Sequence, residues 1–261
     1  MVQQLDFAWR LFATGFSFST FGIGGLSLGL VVFPFTHLLS RSRSLANQRC
    51  QYLVHLSFRL FIWMMRELRV LTYEVVGKEK LQQSDAKLVV ANHPSLIDVV
   101  FIVSMMPQAL CVVKKAAWSN PFMAGVMWAT GYIPNDDPMQ FIDDCVRNVR
   151  DGQRLVIFPE GTRTVPGQPM KLKRGAATII AKSELPFVPI HITSEPTTLT
   201  KAEKWYQIPS RRVHFRIVIG DSYDPRPVIV RGESLSRANR RINRLLIDIL
   251  SGDIELHEHA S

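Results

Sequence analysis

Two short segments carry most of the reactive side chains in this chain of 261 residues. The first, Asn92-His93-Pro94-Ser95-Leu96-Ile97-Asp98, follows an apolar run from Lys87 to Ala91 that reads as a strand. Histidine is the side chain poised to take and return a proton near neutral pH. A carboxylate five residues on, past a turn and at the opening of a helix, reaches back to one imidazole nitrogen. There it fixes the tautomer and steadies the imidazolium that forms during reaction. No nucleophile is paired with this dyad, because the turn points Ser95 elsewhere. The substrate then supplies the hydroxyl, which His93 deprotonates for direct attack on a thioester carbonyl. Spacing alone is weak support: this composition gives about 0.3 chance matches to H-x-x-x-x-D.

The second segment, Phe158-Pro159-Glu160-Gly161-Thr162-Arg163, follows the apolar strand Leu155 to Phe158. It sets a carboxylate and a guanidinium at a sharp turn. Glu160 suits hydrogen bonding to a polyol or ammonium head group, and Arg163 suits bidentate grip of a phosphate. The plainer alternative is a local Glu160–Arg163 ion pair that caps the loop.

Both segments need a scaffold that ends strands side by side. From Leu71, apolar runs at 87–91, 109–113, 155–158, 187–192 and 213–219 read as strands. Helical patterns fall between and after them, at 97–106, 121–130, 140–151, 175–183 and 234–250. Such alternation predicts an α/β fold, a mixed and largely parallel sheet flanked by helices, over residues 71–251. Open sheets of this kind place their sites at strand ends.

Residues 1–70 read differently, as membrane-binding helices. Between Arg10 and Arg41 there is no Asp, Glu, Lys or Arg, and about 20 apolar residues suffice to cross a bilayer. Gly22, Gly24, Gly25, Gly29 and Pro34 interrupt the run, so it predicts either one spanning helix or a re-entrant hairpin. A second helix, from Gln51 to Val70, is amphipathic: Gln51, His55, Arg59, Arg66 and Arg69 lie on one side. Tyr52, Leu53, Leu56, Leu60, Trp63 and Met64 lie on the other. A charge at the centre of a span costs about 3 kcal/mol, so Arg59 favours a helix lying in the membrane interface.

Taken together, these blocks resemble the glycerolipid acyltransferase family, which includes the lysophosphatidate acyltransferases. The family pattern is N-H-x-x-x-x-D, a Lys- and Gly-rich block, F-P-E-G-T-R and a Pro-apolar-Pro strand. Here they occur in order at Asn92 to Asp98, Lys114 to Ile133, Phe158 to Arg163 and Pro186 to Ile190, with Lys173-Arg174-Gly175 before the last. The resemblance implies that His93 is a general base oriented by Asp98. It makes Glu160, Gly161, Thr162, Arg163, Lys115 and Lys173 substrate-binding residues. It also implies O-acyl transfer from acyl carrier protein or coenzyme A thioesters to a lysolipid such as 1-acylglycerol-3-phosphate. One block departs: Asp137 stands where lysophosphatidate enzymes carry a phosphate-binding arginine, which opens the alternative of a non-phosphatidate lipid acceptor.

The net charge of +9 suits anionic membrane lipids and an acidic carrier protein. Nucleic acid is a poor partner for a chain with so long an uncharged run. No His/Cys cluster has metal-ligand spacing and no G-x-G-x-x-G occurs, so neither a metal nor an organic cofactor is expected. Cys50, Cys111 and Cys145 read as buried free thiols. Arg41, Arg43 and Arg49 after the apolar run, against Arg10 before it, place the α/β domain on the cytoplasmic side of the inner membrane. A lipid-binding scaffold on the same fold is the second functional class, separated by the absence of turnover.

Overall fold

The computed structural model describes residues 2–164, 167–230 and 232–251. Seven strands form one sheet, in the order β1 (Leu71–Val76), β7 (Val213–Ile219), β6 (Phe187–Glu195), β2 (Leu88–Ala91), β5 (Leu155–Ile157), β3 (Leu110–Val113) and β4 (Ile133–Pro134). All neighbours are parallel except β6 and β7, so the sheet is mixed and largely parallel, as predicted. Central strand β2 is buried at every position, which is why Leu-Val-Val-Ala is uniformly apolar rather than alternating. The edge strands β1 and β4 escape the apolar-run reading because one mixes Thr, Tyr and Glu with aliphatics and the other has two residues.

Helix α5 (Asp98–Met105) leaves the carboxyl end of β2 toward β3, whereas α8 (Arg174–Ser183) leaves β5 toward β6. The two strands are neighbours and their outgoing connections run in opposite directions along the sheet, each passing over the other's strand, so the segments that follow β2 and β5 begin side by side at the carboxyl edge. Helices α7 (Pro138–Arg150) and α9 (Leu235–Leu250) pack against α8, while α5 packs against α3 (Arg43–Glu67).

The N-terminal apolar run is one continuous helix rather than a re-entrant hairpin. Helix α1 (Val2–Ser27) passes through a π-helical turn, Leu28–Val32, into α2 (Phe33–Leu38). The turn falls where Pro34 lacks an N–H and its ring crowds the carbonyl one turn back, so a wider i→i+5 loop absorbs the fault. Of the glycines that interrupt the run, Gly22, Gly25 and Gly29 form a packing notch for α6 (Pro121–Thr130), while Gly24 faces open space. A Cβ on Gly25 would lie 2.6 Å from the Phe122 carbonyl oxygen, and one on Gly125 2.6 Å from the Gly29 Cα.

The combined helix, Gln3–Leu38, has 36 residues and is long and apolar enough to cross a membrane by length and composition. It lies along the domain over most of its length. At one end Arg10 donates to the carbonyls of Pro209 and Ser210 at 2.8 and 2.6 Å, and at the other His37 bonds the Ala129 carbonyl. The buried core is continuous from Phe33, Val54 and Ile62 into the sheet, so residue 70 divides a helical layer from the sheet without dividing the core.

In α3 the polar side is split. Gln51 and His55 turn inward and donate to the carbonyls of Thr130 and Val103 at the C-terminal turns of α6 and α5; the Val103 carbonyl also accepts the Met106 N–H. Tyr52, Leu56, Leu60 and Trp63 face outward and are exposed, alongside Trp9, Phe12, Phe16 and Ile23 of α1. All three cysteines are buried free thiols.

Candidate active site

The Asn92–Asp98 segment starts where β2 ends, and Asn92 makes that end rigid. Its side-chain amide donates to the Ile192 carbonyl at 2.8 Å and accepts from the Ile192 N–H at 2.7 Å, which extends the pairing of β2 with β6 by side chain. One residue on, His93 Nδ1 lies 2.9 Å from Asp98 Oδ2. A carboxylate facing Nδ1 holds the proton there and leaves the Nε2 lone pair to accept a proton from another molecule. The ring stacks on Phe158 at 4.3 Å between centroids, which fixes its plane, and its side chain is 18% exposed.

Asp98 opens α5 and is wholly buried. Its Oδ2 accepts both His93 and the Ser95 N–H, at 2.6 Å, while Oδ1 has no partner among the described residues. Burial therefore dominates and pushes the carboxyl up to about 6, against the opposing hydrogen bond and charge of His93 and the Ser95 amide; the Glu160 charge adds to the rise. Ser95 is fully buried, its hydroxyl unpartnered among the described residues. It cannot meet a substrate without rearrangement, which matches the reading that the dyad serves no serine nucleophile.

The second segment interlocks with the first. Glu160 Oε1 accepts the His93 backbone N–H at 2.9 Å and the Thr164 hydroxyl at 2.9 Å, and the Thr164 N–H donates to the His93 carbonyl at 2.7 Å. Glu160 is thus a strut under the histidine, and it makes no ion pair with Arg163. Arg163 Nη1 turns to the carbonyls of Leu199 and Thr200, at 2.8 and 2.9 Å. The Leu96 N–H donates to the same Leu199 oxygen, so the loop after β6 ties both segments together. Leu199 adopts a left-handed φ of 52°, a strained conformation for a branched side chain.

Gly161 has φ 62°, and the Lys173 side chain lies over it, 2.8 Å from where a Cβ would sit. The Lys173 N–H also donates to the Pro159 carbonyl, so Lys173 crosses the turn that carries Glu160, Gly161 and Thr162. Lys115 lies elsewhere. It follows β3, two strands from β2 and so roughly 10 Å along the sheet edge, and it pairs with Asp136 at 2.7 Å. Asp137 accepts from the N–H groups of Met139 and Gln140 and caps α7, which accounts for an acidic residue at that place. Sequence reading passed over Thr164, Asn92's amide and Leu199. Only the first had a signal, a hydroxyl one helical turn's distance from Glu160.

Glu160→Ala should lower kcat by about 100-fold through misplacement of His93, because two donors lose their acceptor and the imidazole shifts. Glu160→Gln retains a carbonyl oxygen at the same place and should restore most of that loss. A change confined to KM in both variants would assign Glu160 to the substrate's head group instead.

Comparison with known proteins places this arrangement. The acyltransferase family model matches residues 72–193, which contain both segments. A chloroplastic 1-acyl-sn-glycerol-3-phosphate acyltransferase of Brassica napus is 33% identical over 123 residues, 45% of this chain and 36% of that one. The 1-acyl-sn-glycerol-3-phosphate acyltransferase of Helicobacter pylori is 30% identical over 159 residues, 58% of this chain and 65% of the relative. The matched stretch thus spans from about a third to just under two thirds of these relatives' lengths. In fold, the crystal structure of the 1-acyl-sn-glycerophosphate acyltransferase PlsC from Thermotoga maritima superposes with a TM-score of 0.69, covering 99% of each chain at 17% identity. The molecule is an α/β protein that shares the fold of that structure, with its His–Asp pair at the sheet's carboxyl edge. Its residues 72–193, which hold that pair, are similar to the acyltransferase family.

Proposed function

We propose that this protein transfers a fatty acyl group from an acyl carrier protein or coenzyme A thioester to the free hydroxyl of a 1-acylglycerol-3-phosphate-type lysophospholipid. The observation that carries the reading is the 2.9 Å contact between His93 Nδ1 and buried Asp98, which leaves Nε2 as the basic nitrogen. Nε2 takes the proton of the lipid hydroxyl as its oxygen attacks the thioester carbonyl. The tetrahedral adduct collapses with cleavage of the C–S bond, and the imidazolium returns its proton to the leaving thiolate. Asp98 stabilises the imidazolium throughout. Lys173 and the Arg163 nitrogens not bound to Leu199 and Thr200 supply positive charge for the acceptor phosphate. The capping role of Asp137 favours this acceptor over a non-phosphatidate one, since its charge is committed to α7.

The exposed apolar faces of α1 and α3 support membrane association. Because α1 and α2 pack on the domain at both ends, a perpendicular crossing would pull the domain's polar surface into hydrocarbon. The helices instead lie along the interface, apolar side down, with the domain in the cytoplasm, where carrier thioesters are made. The test is incubation of purified protein with labelled acyl thioester and a panel of lysolipids, with products identified by mass. Diacylated product that requires the lysolipid supports transfer. Free fatty acid at the same rate with or without acceptor makes the protein a thioesterase, and no turnover at all makes it a scaffold.

A further inference from the structure

The far end of α5 from the dyad borders a cavity of about 390 Å³, within the size range of small-molecule sites. It lies about 10 Å or more from Asp98, the length of α5 at 1.5 Å per residue, and at the opposite edge of the sheet from His93. Arg59, Lys78 and Arg154 line it, with His55, Gln82 and Ser104. Most basic side chains near a carboxylate in this protein are paired, as Lys80 is with Asp221, Lys115 with Asp136 and Lys182 with Asp143. Arg59, Lys78 and Arg154 make no ion pair among the described residues. Three unpaired cations converging on one concavity repel one another, an arrangement that an anion relieves.

The wall is also built. Arg154 donates to the carbonyls of Leu81 and Ser84, at 3.4 and 3.0 Å, and so is held against α4 (Lys78–Gln83). His55 is buried and bonded through Nδ1 to the Val103 carbonyl. Arg59 joins the cavity to the exposed apolar stripe of α3, because it lies one helical turn from both Leu56 and Trp63. A charge pocket opening beside a lipid-facing stripe fits a ligand with a phosphate at one end and hydrocarbon at the other.

We propose that this cavity is a second anion site, and that its occupant is the phosphate-bearing head group of an anionic phospholipid held in the bilayer. The proposal rests on the membrane-facing reading of α1 and α3. Occupancy at a point remote from His93 fixes how the domain sits on the bilayer without occupying the acceptor's place.

The test uses the full chain with vesicles of phosphatidylcholine, with and without phosphatidylglycerol, and with a soluble short-chain phosphatidylglycerol or inorganic phosphate alone. Arg59→Gln/Lys78→Gln should lose about 25-fold in affinity for the anionic vesicles, about fivefold per charge, and keep its affinity for phosphatidylcholine. Arg240→Gln/Arg244→Gln removes the same charge from the exposed face of α9 and should lose little. Equal losses in the two pairs would reduce the effect to the general field of the protein and overturn the site. Wild-type protein that binds neither vesicle removes the membrane reading; the soluble arms then decide. Thermal stabilisation by the short-chain lipid in wild type but not in Arg59→Gln/Lys78→Gln sustains a head-group site. Stabilisation by inorganic phosphate to the same extent, or by neither, overturns it.

Discussion

His93→Ala should lower kcat/KM for acyl transfer by about 100- to 10,000-fold, with vesicle binding unchanged and the fold intact. The size follows from the proposed mechanism, in which Nε2 is the base beside the sheet's carboxyl edge, and among the described neighbours none offers a second base in the same place. Glu160 is engaged with the His93 amide and Thr164, and Ser95 is buried. The fold tolerates the loss because Asp98, deprived of its partner, readily takes up a proton in its buried setting. Initial rates with the labelled thioester, alongside circular dichroism and vesicle sedimentation, check this. Turnover within tenfold of wild type in a folded variant would mean that another group activates the hydroxyl. A His93→Ala/Asp98→Asn double variant should be hardly slower than His93→Ala, since the two groups act as one unit.

Much of this was legible in the sequence because the central parallel strands β2 and β5 bury both faces and β7 alternates buried with more exposed positions. Five apolar runs marked β2, β3, β5, β6 and β7, and the two reactive segments followed two of them directly. The edge strands were not legible, since β4 pairs through two residues and β1 is only partly covered. In the site, the His93–Asp98 contact follows from spacing. The role of Glu160 does not, because the partner that ties it to the histidine is a backbone N–H 67 residues away, which leaves no trace in residue type; the Thr164 hydroxyl alone marks the place. Arg163 likewise finds two carbonyls of a loop whose course depends on the left-handed turn at Leu199. The N-terminal glycines show the same limit: the turn of a re-entrant hairpin and a helix-packing notch have one composition, and only the position of Gly125 opposite Gly29 separates them.

Asp98→Asn should separate activity from stability. Activity should fall by about 1,000- to 10,000-fold, as for an amide in place of the orienting carboxylate of a hydrolase triad, because an amide neither selects the tautomer nor stabilises the imidazolium. Stability should move the other way at alkaline pH. The Asp98 carboxyl sits at about 6 in the folded protein, above its ordinary value of 3.8, so the folded state binds this proton more tightly than the unfolded one. The resulting stabilisation is fully present below about pH 4 and lost as pH rises through about 6, a total of about 3 kcal/mol. Roughly half of that loss, about 1.5 kcal/mol, falls between pH 5 and pH 8, and the amide that replaces the carboxyl in the variant does not titrate. The Tm of Asp98→Asn minus that of wild type should therefore rise by about 3–5 °C between those pH values. A difference that shrinks instead would mean that His93 and the Ser95 amide more than offset the burial of the charge. In that case the dyad would be an ion pair stabilising the fold, rather than a buried carboxylate that the fold tolerates for the sake of the imidazole it orients.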